Sequence, residues 1–288
     1  MTLLILGAGG QVGQALGARA GAAARGLTHA ACDITDCAAI AHALSAPGLS
    51  AIVNCAAYTA VDRAESEPER AFAVNADGAG IVARTAAAHG LPLVHLSTDY
   101  VYAGTGAGPY REDQPIAPLN VYGASKAAGD AAVAAGNPAH LILRVSWVFG
   151  VHGANFVKTM LRLGRERSEL RVVDDQKGGP TAAGDIAEAI MVMAARCRQP
   201  GFAGWGTYHF AGRPSTSWHG FARAIFARAA KPAPRLVPIS SRDYPTPAPR
   251  PLNSMLECGR IRRVFGIDRP DWRRSLSRVM ADLEAGTA

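Results

Sequence analysis

Four short apolar runs recur through the first half of the chain: TLLILG (2–7), AIVNCAA (51–57), LPLVHLST (91–98) and HLILRVSWVFG (140–150). Their apolar residues are consecutive rather than alternating, the pattern of strands covered on both faces. Ala-rich stretches of helical composition separate them, at 11–24, 36–46, 63–89 and 120–135. Strand and helix in alternation predict an α/β fold, a doubly wound parallel sheet with right-handed crossovers. A weaker second strand is expected near LTHAAC (27–32).

The rhythm loosens after residue 150. NFVKTMLRLGRER (155–167) and DIAEAIMVMAAR (185–196) have the spacing of amphipathic helices, with LRVVDD (170–175) as a strand between them. A further strand is expected at TYHFAG (207–212) and a helix at WHGFARAIFARAA (218–230). Segment 231–251 carries seven prolines, too many for an interior helix or a central strand. With Arg235, Arg242 and Arg250 interleaved, it is expected to be an ordered loop over a site. The chain thus divides into residues 1–150, which part of 170–200 rejoins, and a smaller α/β unit, mainly 151–288.

Composition narrows the functional classes. Hydrophobic residues make up 49% and aromatics 7%, so small aliphatic side chains do most of the packing. The net charge of +7 would suit nucleic acid, but the arginines are scattered among acids, with no basic run interleaved with aromatics. A small polyanionic substrate accounts for the charge equally well and a plain surface excess nearly as well, and no nucleic-acid partner is expected. The five cysteines show no CxxC pair or metal-ligand spacing, which fits a reduced cytoplasm. No apolar run reaches the ~18–20 residues of a membrane span, and no signal sequence is expected, so neither is a membrane partner.

GAGGQVG (7–13) follows the first strand and opens the first helix. Gly7, Gly10 and Gly13 lack side chains where a pyrophosphate has to approach backbone amides, and Gln11 and Val12 lie in the same turn. In this strand–turn–helix context the motif predicts a Rossmann-type dinucleotide site. The acid that would hold the cofactor ribose is expected about 20 residues further on. Asp33 lies there, but residues 1–32 contain no Asp or Glu, while Arg19 and Arg25 are present. No carboxylate precedes Asp33 at the end of the second strand to repel a 2′-phosphate, so NADPH is slightly preferred, with NADH possible.

The carboxyl ends of the apolar strands bring further groups to the same edge. AIVNCAAYT ends in Ala56, Ala57 and Tyr58, and LPLVHLSTDYVY in Ser97, Thr98, Asp99 and Tyr100. In NVYGASKAAGD (120–130), Tyr122 and Lys126 are four apart and share a helix face. A phenol is a general acid at neutral pH, and a neighbouring ammonium favours its phenolate. Thr98 is placed to fix a carbonyl oxygen. The chemistry expected is hydride transfer to a carbonyl carbon, with Tyr122 as proton donor.

These motifs together resemble the extended short-chain dehydrogenase/reductases, and more narrowly the dTDP-4-dehydrorhamnose reductase family. The likeness includes 56–75, 96–106, 118–130, 144–150, 155–163, 174–181 and 244–256. It implies reduction of a dTDP-linked 4-keto-sugar by NADPH, with Thr98, Tyr122 and Lys126 as the catalytic set. Cofactor contacts would fall on Gly10, Gln11, Val12, Asp33, Ile34, Ala56, Ala57, Tyr58, Tyr122 and Lys126. Asp99, Tyr100, Trp147, Asn155 and Arg250 would meet the substrate, though Trp147 also suits core packing and Asn155 a helix cap. Dehydratases of the superfamily need an Asp–Glu pair where this chain has Asp99–Tyr100. The alternatives are another nucleotide-sugar reductase or epimerase, and a non-catalytic NADP-binding subunit. Some relatives dimerise around magnesium held by a carboxylate early in the first helix. Gln14 and Ala15 occupy that turn, so no metal is expected, and the chain should be a monomer or weak homodimer.

Overall fold

The apolar runs become the strands of one parallel sheet. A computed structural model describes residues 2–229 and 233–286. Its strands are β1 (Thr2–Leu6), β2 (Ala24–Leu27), β3 (Leu49–Asn54), β4 (Leu93–Thr98), β5 (His140–Val145) and β6 (Gly206–Phe210). They lie in the order β6-β5-β4-β3-β1-β2, every pair parallel. Flanking helices include α1 (Gln11–Ala20), α2 (Cys37–Leu44), α3 (Ala79–Ala88), α4 (Val121–Gly136) and α5 (Ala183–Arg196).

Successive residues of a strand face opposite sides of its sheet. Leu3, Ile5, Val53, Leu141 and Leu143 therefore enter one core with Leu16 and Ile190. Leu4, Leu6, Ile52 and Ile142 enter the other with Ile40 and Val82. A third cluster, around Phe149, Val157, Phe221, Ile225, Trp272 and Leu276, fills the rest of the chain. The strand order reverses between β1 and β3, the switch point at which ligands settle outside the carboxyl ends.

Several expected elements are displaced. The second strand is Ala24–Leu27 rather than 27–32. It pairs with β1 at the sheet edge, where exposed Arg25 and Gly26 cost nothing, so the buried-strand pattern misses it. The helix expected over 63–89 is broken into Val61–Ala64, Pro68–Phe72, a π-helical turn Ala73–Gly78, and α3. The run 140–150 breaks at Trp147, whose φ is 49°. The proline-rich segment contains a strand, Arg235–Ile239, paired in parallel with Glu169–Val173; Pro238 is tolerated because that ladder has only two strands. The helix expected over 218–230 runs from Trp218 to Phe226, and the last residue of that expectation lies outside the described residues. Among the described residues, no helix is long and apolar enough to cross a membrane.

Candidate active site

The glycine turn sits at the switch point. Gly7 has φ 75°, and a Cβ there would lie 2.5 Å from the Ala56 amide nitrogen, so only glycine lets the β1 and β3 ends close together. Gly10 caps α1 without a side-chain hydrogen bond, and no acid stands in the first turn. Its amides and the positive end of the helix dipole suit a phosphate. Beside it lies a cavity of about 290 Å³ lined by Gly7, Gly9, Gly10, His29, Asp33, Ile34, Ala56, Ala57, Tyr58 and Arg70, among others. These residues fit a dinucleotide.

Asp33 is ordered by Thr35, which donates its amide at 2.9 Å and its hydroxyl at 2.8 Å to one carboxylate oxygen. Those bonds hold its carboxyl below the ordinary range against a partial burial that raises it. Ile34 is buried against Gly78. The Tyr58 amide donates to Asn75 Oδ1 at 2.8 Å, and Asn75 Nδ2 donates to the Tyr58 carbonyl at 3.0 Å and to Ser125 Oγ at 2.9 Å. Asn75 thus ties the cofactor wall to α4. Its place in a π-helical turn aims it there, a frequent use of such turns. The sequence reading missed Asn75; its signal was a polar residue inside the Ala-rich helical stretch 63–89.

Helix α4 begins at Asn120, whose side chain accepts from the Gly123 amide. A Cβ at Gly123 would lie 2.2 Å from the Tyr100 carbonyl oxygen, and one at Gly129 would lie 2.0 Å from that of Asn75. The small residues of this helix let it press against the end of β4 and the π-helical turn. Tyr122 then lies edge-on to Tyr100, ring centres 5.5 Å apart.

Tyr122 and Thr98 are brought together, as expected. Burial pushes the Tyr122 phenol well up, and a hydrogen bond with the Thr98 hydroxyl opposes that shift; Asp99 and Asp130 reinforce it. The lowering expected from Lys126 is absent from these influences. Nζ of Lys126 turns instead to the sheet, donating to the Leu96 carbonyl at 2.8 Å and lying 3.3 Å from His95 Nε2. Burial lowers the ammonium to about 8, although Asp130 and Cys55 favour its charge.

Asp99 is buried, with Oδ2 unpartnered and Thr98 Oγ1 donating to Oδ1 at 3.2 Å. Burial raises it to about 6 against help from the neighbouring Ser254 and Thr98 hydroxyls. Asp99 and the Ser254 hydroxyl that acts on it make a buried polar spot beside Thr98. Arg250 stands at its edge, donating to Asp62 Oδ2 at 2.8 Å; its charge acts on Tyr100.

Two expected substrate contacts are otherwise engaged. Trp147 stacks on Trp218 at 3.6 Å between ring centres, beside Gly178. Asn155 caps helix Phe156–Glu166, and its Nδ2 donates to Gly150 O at 2.8 Å and Gln11 Oε1 at 3.1 Å. It braces the glycine turn rather than facing the polar spot. Gln14 donates to Gly9 O at 2.7 Å, clamping the turn. Among the described residues no group of three His, Cys, Asp or Glu could hold a metal.

The model of the RmlD substrate binding domain matches residues 1–285. The chain belongs to that family. It is 45% identical to a dTDP-4-dehydrorhamnose reductase of Sinorhizobium fredii, with 97% of each chain covered. Among solved structures, a dTDP-4-dehydrorhamnose reductase from Clostridium acetobutylicum superposes with a TM-score of 0.93 at 32% identity, covering 99% of this chain and 100% of that one. Another, from Bacillus anthracis in complex with NADP, gives a TM-score of 0.91 at 35% identity, covering 98% and 100%. Those two structures share this fold over nearly the whole chain.

Proposed function

We propose that this chain reduces the 4-keto group of dTDP-4-dehydro-β-L-rhamnose with NADPH, giving dTDP-β-L-rhamnose. The observation that carries this reading is a half-buried Tyr122 phenol set against Thr98, in a chain that matches reductases of that name over nearly its whole length. The glycine turn and the cavity beside it would hold the cofactor through Gly7, Gly10, Gln11, Val12, Gly13, Asp33, Ile34, Ala56, Ala57 and Tyr58. When bound, NADPH supplies the hydride.

The chain's own groups handle the proton. Thr98 Oγ1 would orient the ketone oxygen, and Tyr122 would give its proton to that oxygen as the carbon receives hydride. Burial keeps the phenol protonated until a stronger base, the developing alkoxide, is beside it. The phenolate left behind takes back one proton from solvent, closing the balance. Lys126, in its charged form, would steady that phenolate and hold the nicotinamide ribose. Asp99, Tyr100 and Arg250 would meet the sugar nucleotide. Tyr100 stands where a dehydratase places its second carboxylate, and its burial keeps it a neutral phenol, unable to serve as that base.

On this reading residues 1–150, with α5 and β6, form the cofactor half, and the remainder mainly holds the nucleotide. The protein is expected to act in the cytoplasm as a monomer or weak homodimer. The test is to mix it with NADPH and enzymatically prepared dTDP-4-dehydro-β-L-rhamnose. Loss of nicotinamide absorbance with stoichiometric dTDP-rhamnose supports the assignment; bound NADPH without turnover overturns it.

A further inference from the structure

Two polar side chains stand where the apolar pattern of the strands calls for none. Asn54 ends β3 and His95 lies within β4; both are fully buried, and the reduction chemistry above uses neither. They form a continuous line to Lys126. The Ala56 amide donates to Asn54 Oδ1 at 3.1 Å, Asn54 Nδ2 lies 3.2 Å from His95 Nδ1, and His95 Nε2 lies 3.3 Å from Lys126 Nζ.

The donors and acceptors of this line can be assigned in turn. The Ala56 N–H fixes which end of the Asn54 amide is oxygen, so the NH₂ group faces His95. Nδ1 must then accept, which leaves the imidazole proton on Nε2, pointed at Lys126. An amine accepts that proton and still donates to Leu96 O. An ammonium has no lone pair, so its charge sets two donors face to face or forces the Asn54 amide to turn away from Ala56. We propose that Asn54 and His95 are positioning residues that make charge on Lys126 costly, and that they set the alkaline limb of the reaction.

Burial holds His95 well below its ordinary value, so a second charge does not relieve the conflict. The other ionisable groups acting here are Asp130 on α4 and Cys55 after β3, with His140 on β5 acting on His95. The phenol is pushed far above neutrality by burial, whereas Lys126 is brought to about 8. The alkaline limb therefore belongs to Lys126. The line also ends at the Ala56 amide, in the cofactor wall, so the charge of Lys126 and the order of that wall are linked.

This inference rests on the proposed reduction for one of its two tests only. First, kcat/KM is measured against pH for wild type and Asn54→Ala. Freed of the facing NH₂, His95 can carry its proton on Nδ1 and accept from the ammonium. Recovering about one hydrogen bond should move the limb up by roughly 0.7 of a pH unit. An unmoved limb in folded Asn54→Ala overturns the proposal. Second, long-range ¹H–¹⁵N spectra of histidine-labelled wild type, with His95 assigned by its loss in His95→Gln, locate the ring proton without any turnover. Above the limb it should sit on Nε2; a proton on Nδ1 there overturns the proposal even if Asn54→Ala fails to fold. Absence of keto-sugar reduction would refute the assigned reaction and leave the ring-proton result readable.

Discussion

Tyr122 and Asp99 show what one buried group does to chemistry and to stability. Removing the phenolic hydroxyl in Tyr122→Phe should cut turnover by roughly 10²–10⁴-fold, the usual worth of a positioned acid, with NADPH binding retained. Single-turnover rates together with a cofactor titration check this, and near-wild-type turnover would remove Tyr122 from the role. Asp99 carries the opposite sign to a salt-bridged acid. Its folded pKa, about 6, lies above the ordinary 3.8, so the folded state binds the extra proton and stability falls as pH rises between those values. Asp99→Asn should thus match wild type near pH 4 and gain on it progressively to pH 6, by up to roughly 3 kcal/mol in all. Urea midpoints across that interval decide it, and a difference that does not grow with pH would refute the burial account. Both residues were legible in the sequence, because Ser-Thr-Asp at a strand end and Tyr-x-x-x-Lys on a helix are local patterns. Asn75, His95 and Trp218 were not, because their roles depend on partners 17, 31 and 71 positions away: Tyr58, Lys126 and Trp147.

At the scale of elements, the apolar runs predicted β1, β3, β4 and β5, since consecutive aliphatics can only be buried on both faces of a sheet. The pattern failed where burial is not what shapes the chain. The edge strand Ala24–Leu27 is half exposed, and the stretch 63–89 keeps helical composition while a π-helical turn reorients its middle. That turn makes sense only with α4 in place. Gly129 lies so close to the Asn75 carbonyl that an added methyl has no room, since a Cβ there would stand 2.0 Å from the oxygen. Gly129→Ala should therefore cost about 1–3 kcal/mol and weaken NADPH binding through the displaced Asn75. Gly184→Ala, exposed in α5 with nothing within 4 Å, should be neutral or stabilise by up to about 1 kcal/mol. Denaturant midpoints at constant slope make the comparison. Equal effects would mean that helix propensity, not the close approach, governs both sites.

The whole molecule is tied across its sequence halves by a buried polar chain. Arg144 on β5 donates to Asp130 of α4 at 2.9 Å and to the Tyr102 hydroxyl at 2.7 Å. That hydroxyl lies 2.8 Å from Nε2 of His209 on β6, whose Nδ1 faces the carbonyls of Tyr110 and Glu257. A late strand thus closes the early sheet, and α5 packs on α1. Separating the halves would break the buried Tyr102–His209 hydrogen bond and strip β6 from β5, so they should unfold together. The tryptophans allow a direct check, because all 4 (Trp147, Trp205, Trp218 and Trp272) lie beyond residue 146. Trp205 packs on the core of the parallel sheet, so it is replaced by Phe. The fluorescence of the other three, at the Trp147–Trp218 stack and the third cluster, then reports the later unit, whereas far-ultraviolet dichroism reports every helix and strand. The two unfolding curves should coincide. Saturating NADP⁺, bound at the early glycine turn, should shift both by the same amount, about 2.7 kcal/mol at 100 times its dissociation constant. If NADP⁺ delayed the dichroism but left the tryptophan curve in place, the halves would be energetically separate and the Arg144 chain would not couple them. A common shift would mean that occupancy of the glycine turn is felt at the Trp147–Trp218 stack, so that a ligand at the switch point steadies the unit that has to receive the nucleotide.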